Sequence, residues 1–555
     1  MAEVLLRNKK WRLLLFTGIL VIAIFVRLWQ IQAIPPGLYS DEAVNGMDVI
    51  HSLETGDFRV FYPANNGREG LYMWLLALIF KFFGIGLLQF RLLSPVVGIA
   101  TVASIYFLAK EAFGEKRERY LIALVSMFFI ATSFWHINFS RIGFRAILMP
   151  LILSWTLVFL LRALKNKRVV NFAASGVIFG IGLYTYTGFR MALLIIPTIF
   201  ALTFTQYCIR KKSLPFFRWK DFKTFLVAEG WWKWGVLCTA LLIVAFPLLL
   251  YFIQNPVDVS SRAEGVFVFS REHPIREFLA STVKTLGMFN IKGDMNWRHN
   301  DAGTPQLFFP VGILFVTGLF IMMRESAVSI SRFVKKGTDI PPLHASYFLI
   351  LVSFVIMLLP ATLTWEGIPH ALRTLGVIPL VYLAAGIGFS WLCTSIENIY
   401  RRRDIPKITL FIFLAVFFTG IAVLELDKYL TWGSKPEVRD AFSKKLVDIA
   451  AYLNGTYPGS PANEGFTRYV VDEDGPWESG GSIAIQTIRF LTYVKGEAHY
   501  LSFNDLEQTN IDEDERVLII PLRDEETIYR LIFKRYGEQL EEKVYNKFIV
   551  LTIGR

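Results

Sequence analysis

The chain has 555 residues, of which 54% are hydrophobic and only 19% charged, with a mean hydropathy of +0.44. Soluble domains carry roughly 25% charged residues, so this composition excludes a soluble globular protein and describes a chain that crosses a membrane several times. The formal charge of +12 would suit a nucleic-acid partner, but no basic helix interleaved with aromatics occurs. Lys and Arg on cytoplasmic loops account for the excess, which leaves membrane lipids as partners and no nucleic acid.

In chain order, Lys9, Lys10 and Arg12 precede an apolar run to about Val26 that continues into LWQIQAI. It is too long for a signal-peptide core and no small-residue cleavage site follows, so it reads as an uncleaved first span. Taking about 17–25 apolar residues per span, further helices are expected near 89–110, 119–136, 145–163, 170–187, 190–207, 234–253, 306–324, 345–363, 376–397 and 408–426. Segment 71–85 is apolar but short. If it does not cross, the loops KEAFGEKRER, RALKNKR, IRKKSLPFFRWKDFK, RESAVSISRFVKKG and IYRRR all fall on the cytoplasmic side with the N-terminus. If it crosses, all five fall outside, against the positive-inside rule. It is therefore expected as an interfacial helix, leaving about eleven spans.

From about Asp427 the composition turns soluble. RYVVD, AHYLSF, RVLIIPL and KFIVLTI read as strands, and SIAIQTIRFLTYV and EETIYRLIFKRYG as helices, which suggests a small extracytoplasmic α/β domain at the C-terminus. The expected fold class is thus a mainly α polytopic membrane bundle over 1–426, with outer loops at 35–88 and 255–305, and an α/β domain over 427–555. Cys208, Cys238 and Cys393 lack metal-ligand spacing and imply no disulfide framework.

The chemistry gathers on the outer face. Asp41 and Glu42 follow the first span and the Pro35-Pro36 break. A carboxylate held there could deprotonate an acceptor hydroxyl, and the same SDE triplet would equally serve as a helix N-terminus. Arg68, next to Glu69, can bind a phosphate headgroup or grip any anionic lipid. Arg141, Arg145, Arg190 and Arg373 put positive charge on the face that the topological bias keeps poor in it, as an anion-binding bowl would. In GDMNWRHN, the residues Asp294, Asn296, Trp297, Arg298 and His299 combine an indole with amide and carboxylate groups, a set suited to a sugar ring, or make an ordinary loop. His299 and His370, with acidic neighbours, are candidate ligands for a divalent metal; no other cofactor is implied.

The order of first span, outward Asp41-Glu42, about thirty residues, then GREGLYMWLLALIFKFFG and QFRLLSPVVGIATVASIYFLAKEAFG resembles the opening of the GT-C glycosyltransferases. It looks most like the lipid A aminoarabinose transferases and protein O-mannosyltransferases, and FSRIGFRAILMPL and PHALRTLGVIPL look like later segments of the same group. The resemblance implies a hexosyl- or pentosyltransferase of a prokaryotic inner or cell membrane, working on a polyprenyl-phosphate sugar donor and a lipid, glycan or protein acceptor with inversion. It places Asp41, with Glu42 beside it, at the catalytic carboxylate and Arg68 where those enzymes carry a phosphate-binding lysine before two prolines. Here that triplet reads Arg68-Glu69-Gly70. The other arginines would share the donor phosphate, and Glu69, His370 and the 294–299 group would bind sugar or acceptor. The rival class is a transporter or flippase of a lipid-linked or anionic solute. Such proteins usually show repeated halves with ionisable groups near the midplane, and no repeat is visible here.

Overall fold

The computed structural model describes residues 6, 8–114, 116–210, 224–225, 230–259, 265–336, 342–403, 407–460, 465–472, 482–495, 498–509, 516–523, 525–545 and 547–553. Most of the basic loop expected at 209–223 lies outside them. Among the described residues, eight helices are long and apolar enough to cross a membrane: Lys9–Leu28, Leu87–Ala112, Arg145–Asn166, Thr187–Cys208, Trp232–Gln254, Phe309–Phe333, Leu343–Thr362 and Leu375–Glu397. The first begins where the Asn8 side-chain oxygen accepts the Lys10 N–H at 2.9 Å, satisfying a donor that the helix itself leaves unpaired.

Three expected spans differ in detail. The segment expected at 119–136 is the 14-residue helix Arg119–Thr132, because Ser133 turns extended (ψ 126°) before the short helix Phe134–Phe139. The segment at 170–187 is likewise a 14-residue helix, Val169–Gly182, followed by the tighter 3-10 helix Thr187–Leu194. Each reaches about 21 Å, short of a hydrocarbon core of about 30 Å. The segment at 408–426 lies inside the 28-residue helix Lys407–Ser434. Leu71–Phe83 has 13 residues, about 20 Å of helix.

The chain forms two compact units, one of residues 1–29, 59–72 and 94–430, the other of 30–58, 73–93 and 431–555. In the first, glycines let helices approach closely. A Cβ at Gly318 would collide with the Ala384 carbonyl, and one at Gly388 with the Leu314 carbonyl, so Phe309–Lys336 and Ile378–Arg403 touch backbone to backbone, as small residues permit in lipid. Gly318→Val is expected to force the pair apart and cost about 3 kcal/mol, read as a lower thermal midpoint in detergent; an unchanged midpoint would refute the close approach. This unit also holds a two-stranded antiparallel ribbon, β1 Phe61–Tyr62 and β2 Arg68–Glu69, with Phe61 opposite Glu69 and Tyr62 opposite Arg68.

The second unit holds the helix Ser40–Thr55, ended by Gly56 at φ 77°, a left-handed position that glycine occupies without a Cβ clash. It also holds a five-stranded sheet of β3 Thr467–Asp472, β4 His499–Ser502, β5 Val517–Pro521, β6 Leu540–Val544 and β7 Ile549–Ile553, in the order β4-β3-β5-β7-β6. β3 runs parallel to β4 and β5, and β7 antiparallel to β5 and β6. Alternate residues of the central strands feed two cores. Val470, Leu518, Ile520 and Val550 face Ile449, Leu453 and Ile488, while Val471, Ile519 and Leu551 face Ile528 and Ile532. The four expected strands and two expected helices of this domain are all present. The additional strand is β6, whose LEEKV is almost wholly exposed and has no apolar alternation to announce an edge strand.

Candidate active site

In the second unit the acidic pair divides its labour. Glu42 is fully buried, and its Oε2 accepts the Tyr39 N–H at 3.1 Å, so it closes the N-terminus of Ser40–Thr55. Asp41, in the same first turn, is half-buried; the helix N-terminus favours its negative charge. The backbone leading there is gathered by Arg91, fully buried, which donates to the carbonyls of Ile31 at 2.8 Å, Pro35 at 3.1 Å and Gln32 at 3.2 Å, and to that of Gly37.

In the first unit the centre is Glu69, at the end of β2 and fully buried. Its Oε2 accepts from Arg145 Nε at 3.0 Å. Its Oε1 accepts from the Thr187 hydroxyl at 2.9 Å and from Arg190 Nη2 at 3.4 Å. Arg145 also donates to the Gly67 carbonyl at 3.1 Å and lies over the Tyr186 ring at 5.3 Å; Arg190 lies over Phe252 at 4.8 Å. Burial pushes the Glu69 carboxyl upward, but the two guanidiniums, its backbone hydrogen bond and the Thr187 hydroxyl outweigh this and hold it below the usual carboxylate range. Two guanidiniums against one carboxylate leave a net positive charge. The Arg145 and Arg190 side chains are 10% and 23% exposed and that of Glu69 is 0%, so the cations and not the anion reach toward solvent. Arg68, next along β2, is buried, with Nε donating to the Ala64 carbonyl at 3.1 Å.

A third group lies along 288–306 and 370–374. Asp294 Oδ2 lies 2.9 Å from His299 Nδ1, which donates to it, and accepts the Ala371 N–H at 2.8 Å; Oδ1 accepts the Asn296 N–H at 2.8 Å. The His299 and His370 rings stand 4.9 Å apart. Asp294, His299 and His370 offer ligand atoms all within 4.8 Å of one another, a mixed nitrogen and oxygen set suited to a borderline divalent ion. Phe139 and Phe144 pack on His299 at 5.6 and 6.2 Å, and Asn138 donates to the Arg298 carbonyl at 2.8 Å. The turn that presents Arg145 to Glu69 is therefore also the wall of the histidine group. The same unit holds a cavity of about 430 Å³, lined by Asn290, Leu307, Phe309, Val316, Glu425 and Lys428 among others.

The other expected residues are placed elsewhere. Arg141 donates to the carbonyls of Val26 and Trp29, both at 2.7 Å, and so secures the end of the first helix. Arg373 donates to Thr364 Oγ1 at 2.8 Å and the Glu366 carbonyl at 2.9 Å. Asn296 accepts from Arg298 N at 3.0 Å, with Trp297 half-buried between them. Sequence reasoning missed Thr187, although it stands three residues before Arg190 in YTYTGFR, and missed Gly67 and Ala371, which act through backbone groups that leave no mark in a sequence.

Comparison with known proteins bears on this arrangement. Residues 71–219 match the family of dolichyl-phosphate-mannose-protein mannosyltransferases. ArnT from Cupriavidus metallidurans bound to undecaprenyl phosphate aligns over 98% of both chains at 13% identity with a TM-score of 0.53, and its apo form over 97% of both at 13% and 0.52. The Archaeoglobus fulgidus oligosaccharyltransferase tethered to an acceptor peptide aligns over 89% of this chain and 64% of its own at 13% identity, with a TM-score of 0.47. No curated protein matches the chain. The chain thus shares the fold of ArnT and carries, over residues 71–219, a segment similar to the dolichyl-phosphate-mannose-protein mannosyltransferases.

Proposed function

We propose that the protein transfers a sugar from a polyprenyl-phosphate donor to an acceptor hydroxyl at the extracytoplasmic face, with inversion at the anomeric carbon. The observation that carries this reading is the convergence of Arg145 and Arg190, 45 positions apart, on one buried glutamate beside Arg68, a net-cationic group suited to a phosphate. Asp41 takes the proton from the acceptor hydroxyl. The freed oxygen bonds to the anomeric carbon while the bond from that carbon to the phosphate oxygen breaks, and the electron pair leaves on the polyprenyl phosphate. Arg68, Arg145 and Arg190 stabilise the charge the phosphate gains. Arg373 stands as a further contact for donor or acceptor, and Arg141 braces the first helix. The 294–299 loop, with Trp297 and His370, is the sugar or acceptor surface, and the cavity lined by Leu307, Phe309 and Val316 suits an apolar lipid chain. The acceptor is a lipid, glycan or protein. The bias of basic loops supports a cytoplasmic N-terminus and an extracytoplasmic C-terminus.

The test is turnover of undecaprenyl-phosphate sugars, mannose first, by purified protein in detergent and in proteoliposomes. Transfer to an acceptor supports the reading. Movement of labelled donor across the bilayer with no change in its bond to sugar would make the protein a flippase and sink it.

The same reading gives a metal to Asp294, His299 and His370, whose donor set fits a divalent cation. Bound there, the cation would supply positive charge for oxygen ligands such as a phosphate. His299→Ala is expected to lower manganese or zinc bound per protein, by elemental analysis after dialysis, at least tenfold. Equal metal content in the variant and wild type would remove the ion and leave Asp294 as an organiser of the loop.

A further inference from the structure

We infer that the C-terminal α/β domain is part of the catalytic apparatus, and that Thr487 and Phe490 are positioning residues for Asp41. The inference rests on Asp41 as the base. The helix Ile483–Thr492 lies along Ser40–Thr55, and its buried residues include Thr487, Ile488 and Phe490. Three contacts pin the Asp41 helix to the tail along its length. At the N-terminal end, Thr487 Oγ1 donates to the Leu38 carbonyl at 3.3 Å and lies 3.5 Å from the Ser40 hydroxyl, the residue before Asp41. At the middle, a Cβ on Gly46 would lie 2.6 Å from the Phe490 ring, so ring and helix backbone are in direct contact. At the far end, the Tyr493 hydroxyl donates to Glu54.

The middle contact is rigid because Phe490 is held from its other sides. Phe80 stacks on it at 6.0 Å and Phe90 meets it edge-on at 5.5 Å. Successive residues of a helix are turned by about 100°, so a contact at one point leaves the helix able to roll and swing Asp41 away. Contacts at Ser40, Gly46 and Glu54, spread over four turns, fix both roll and axial position. A tail serving only to bind a partner would not need to grip this helix. A base must be held within about 0.5 Å of its productive place, and misplacement by about 1 Å costs on the order of a hundredfold; the tail supplies that hold.

The experiment uses the full-length protein and undecaprenyl-phosphate mannose. Phe490→Ala and Thr487→Val are each expected to lower kcat at least tenfold while donor KM stays within twofold. Adding either to Asp41→Asn is expected to slow the residual rate no further, because a positioning residue has nothing left to position. Gly46→Ala, placed in the Phe490→Ala protein, is expected to refill the gap and restore part of kcat. If Phe490→Ala does not yield monodisperse protein, Thr487→Val, which keeps the side-chain shape, decides alone. Wild-type kcat in Thr487→Val, or losses that multiply fully with Asp41→Asn, would overturn the inference while leaving Asp41 as the base. Wild-type transfer by Asp41→Asn would instead overturn the base, and this inference with it.

Discussion

Asp41→Asn is expected to lower the transfer rate by about 10²- to 10⁴-fold, the usual contribution of a general base, with donor KM within about threefold and the thermal midpoint unchanged. The neighbouring Glu42 is the control. Both carboxylates occupy the first turn of Ser40–Thr55, so each gains the same favourable interaction with the helix N-terminus, and a purely capping role would make their substitutions alike. Their surroundings differ. Glu42 is fully buried with its oxygen on the Tyr39 N–H, so Glu42→Gln should cost about 1 kcal/mol of stability and less than tenfold in rate. Asp41 is half-buried, and Asn there keeps the shape while removing the capacity to accept a proton. Steady-state kinetics of both variants beside their melting curves separate the roles. Equal rate losses in the two, or a melting loss confined to Asp41→Asn, would transfer the capping role to Asp41 and leave the transferase without a base at this position.

The parts of this molecule legible in the sequence are those set by local pattern. Apolar runs located most of the long helices, and alternation located β3, β4, β5 and β7. Where tertiary contacts decide, the pattern fell short. Arg119–Thr132 and Val169–Gly182 stop early because the chain turns at Ser133 and tightens after Gly182, within sequence that stays apolar throughout. Among the arginines, spacing alone could not separate Arg145, whose guanidinium meets a carboxylate, from Arg141, whose guanidinium meets the carbonyls of a helix end. Both sit in FSRIGFR, and only partners far along the chain distinguish them. Glu69, grouped by its sequence with the sugar or acceptor residues, is spatially the counter-ion of Arg145 and Arg190. Thr487 and Phe490 carried no signal, since contacts between positions over 400 apart leave no periodicity.

Glu69→Gln is expected to destabilise the protein at neutral pH and to remove part of its acid sensitivity. Replacing a fully buried carboxylate that neutralises two guanidiniums leaves cations with reduced solvation and no counter-charge, worth about 3 kcal/mol for a buried pair broken from one side. Partial exposure of Arg190 screens part of this, so the loss falls nearer to about 2 kcal/mol. Because the folded protein holds the Glu69 carboxyl below its ordinary value, that contribution is fully present above the unfolded value of about 4.3 and is lost as pH falls from there through the folded value. Melting curves of wild type and Glu69→Gln should therefore be furthest apart above about pH 5 and draw together as pH falls below about 4.3 through the folded value; curves that stay parallel throughout would show that Glu69 carries no such linkage. The kinetic consequence follows from the same geometry. Without Glu69 both guanidiniums keep their charge and can still attract a phosphate, but lose the anchor that orients them. Donor KM should therefore stay level or fall while kcat drops by about tenfold. A large rise in donor KM with kcat unchanged would mean that Glu69 itself contacts the sugar, and that the guanidinium pair is a brace for the ribbon and not the holder of the leaving phosphate.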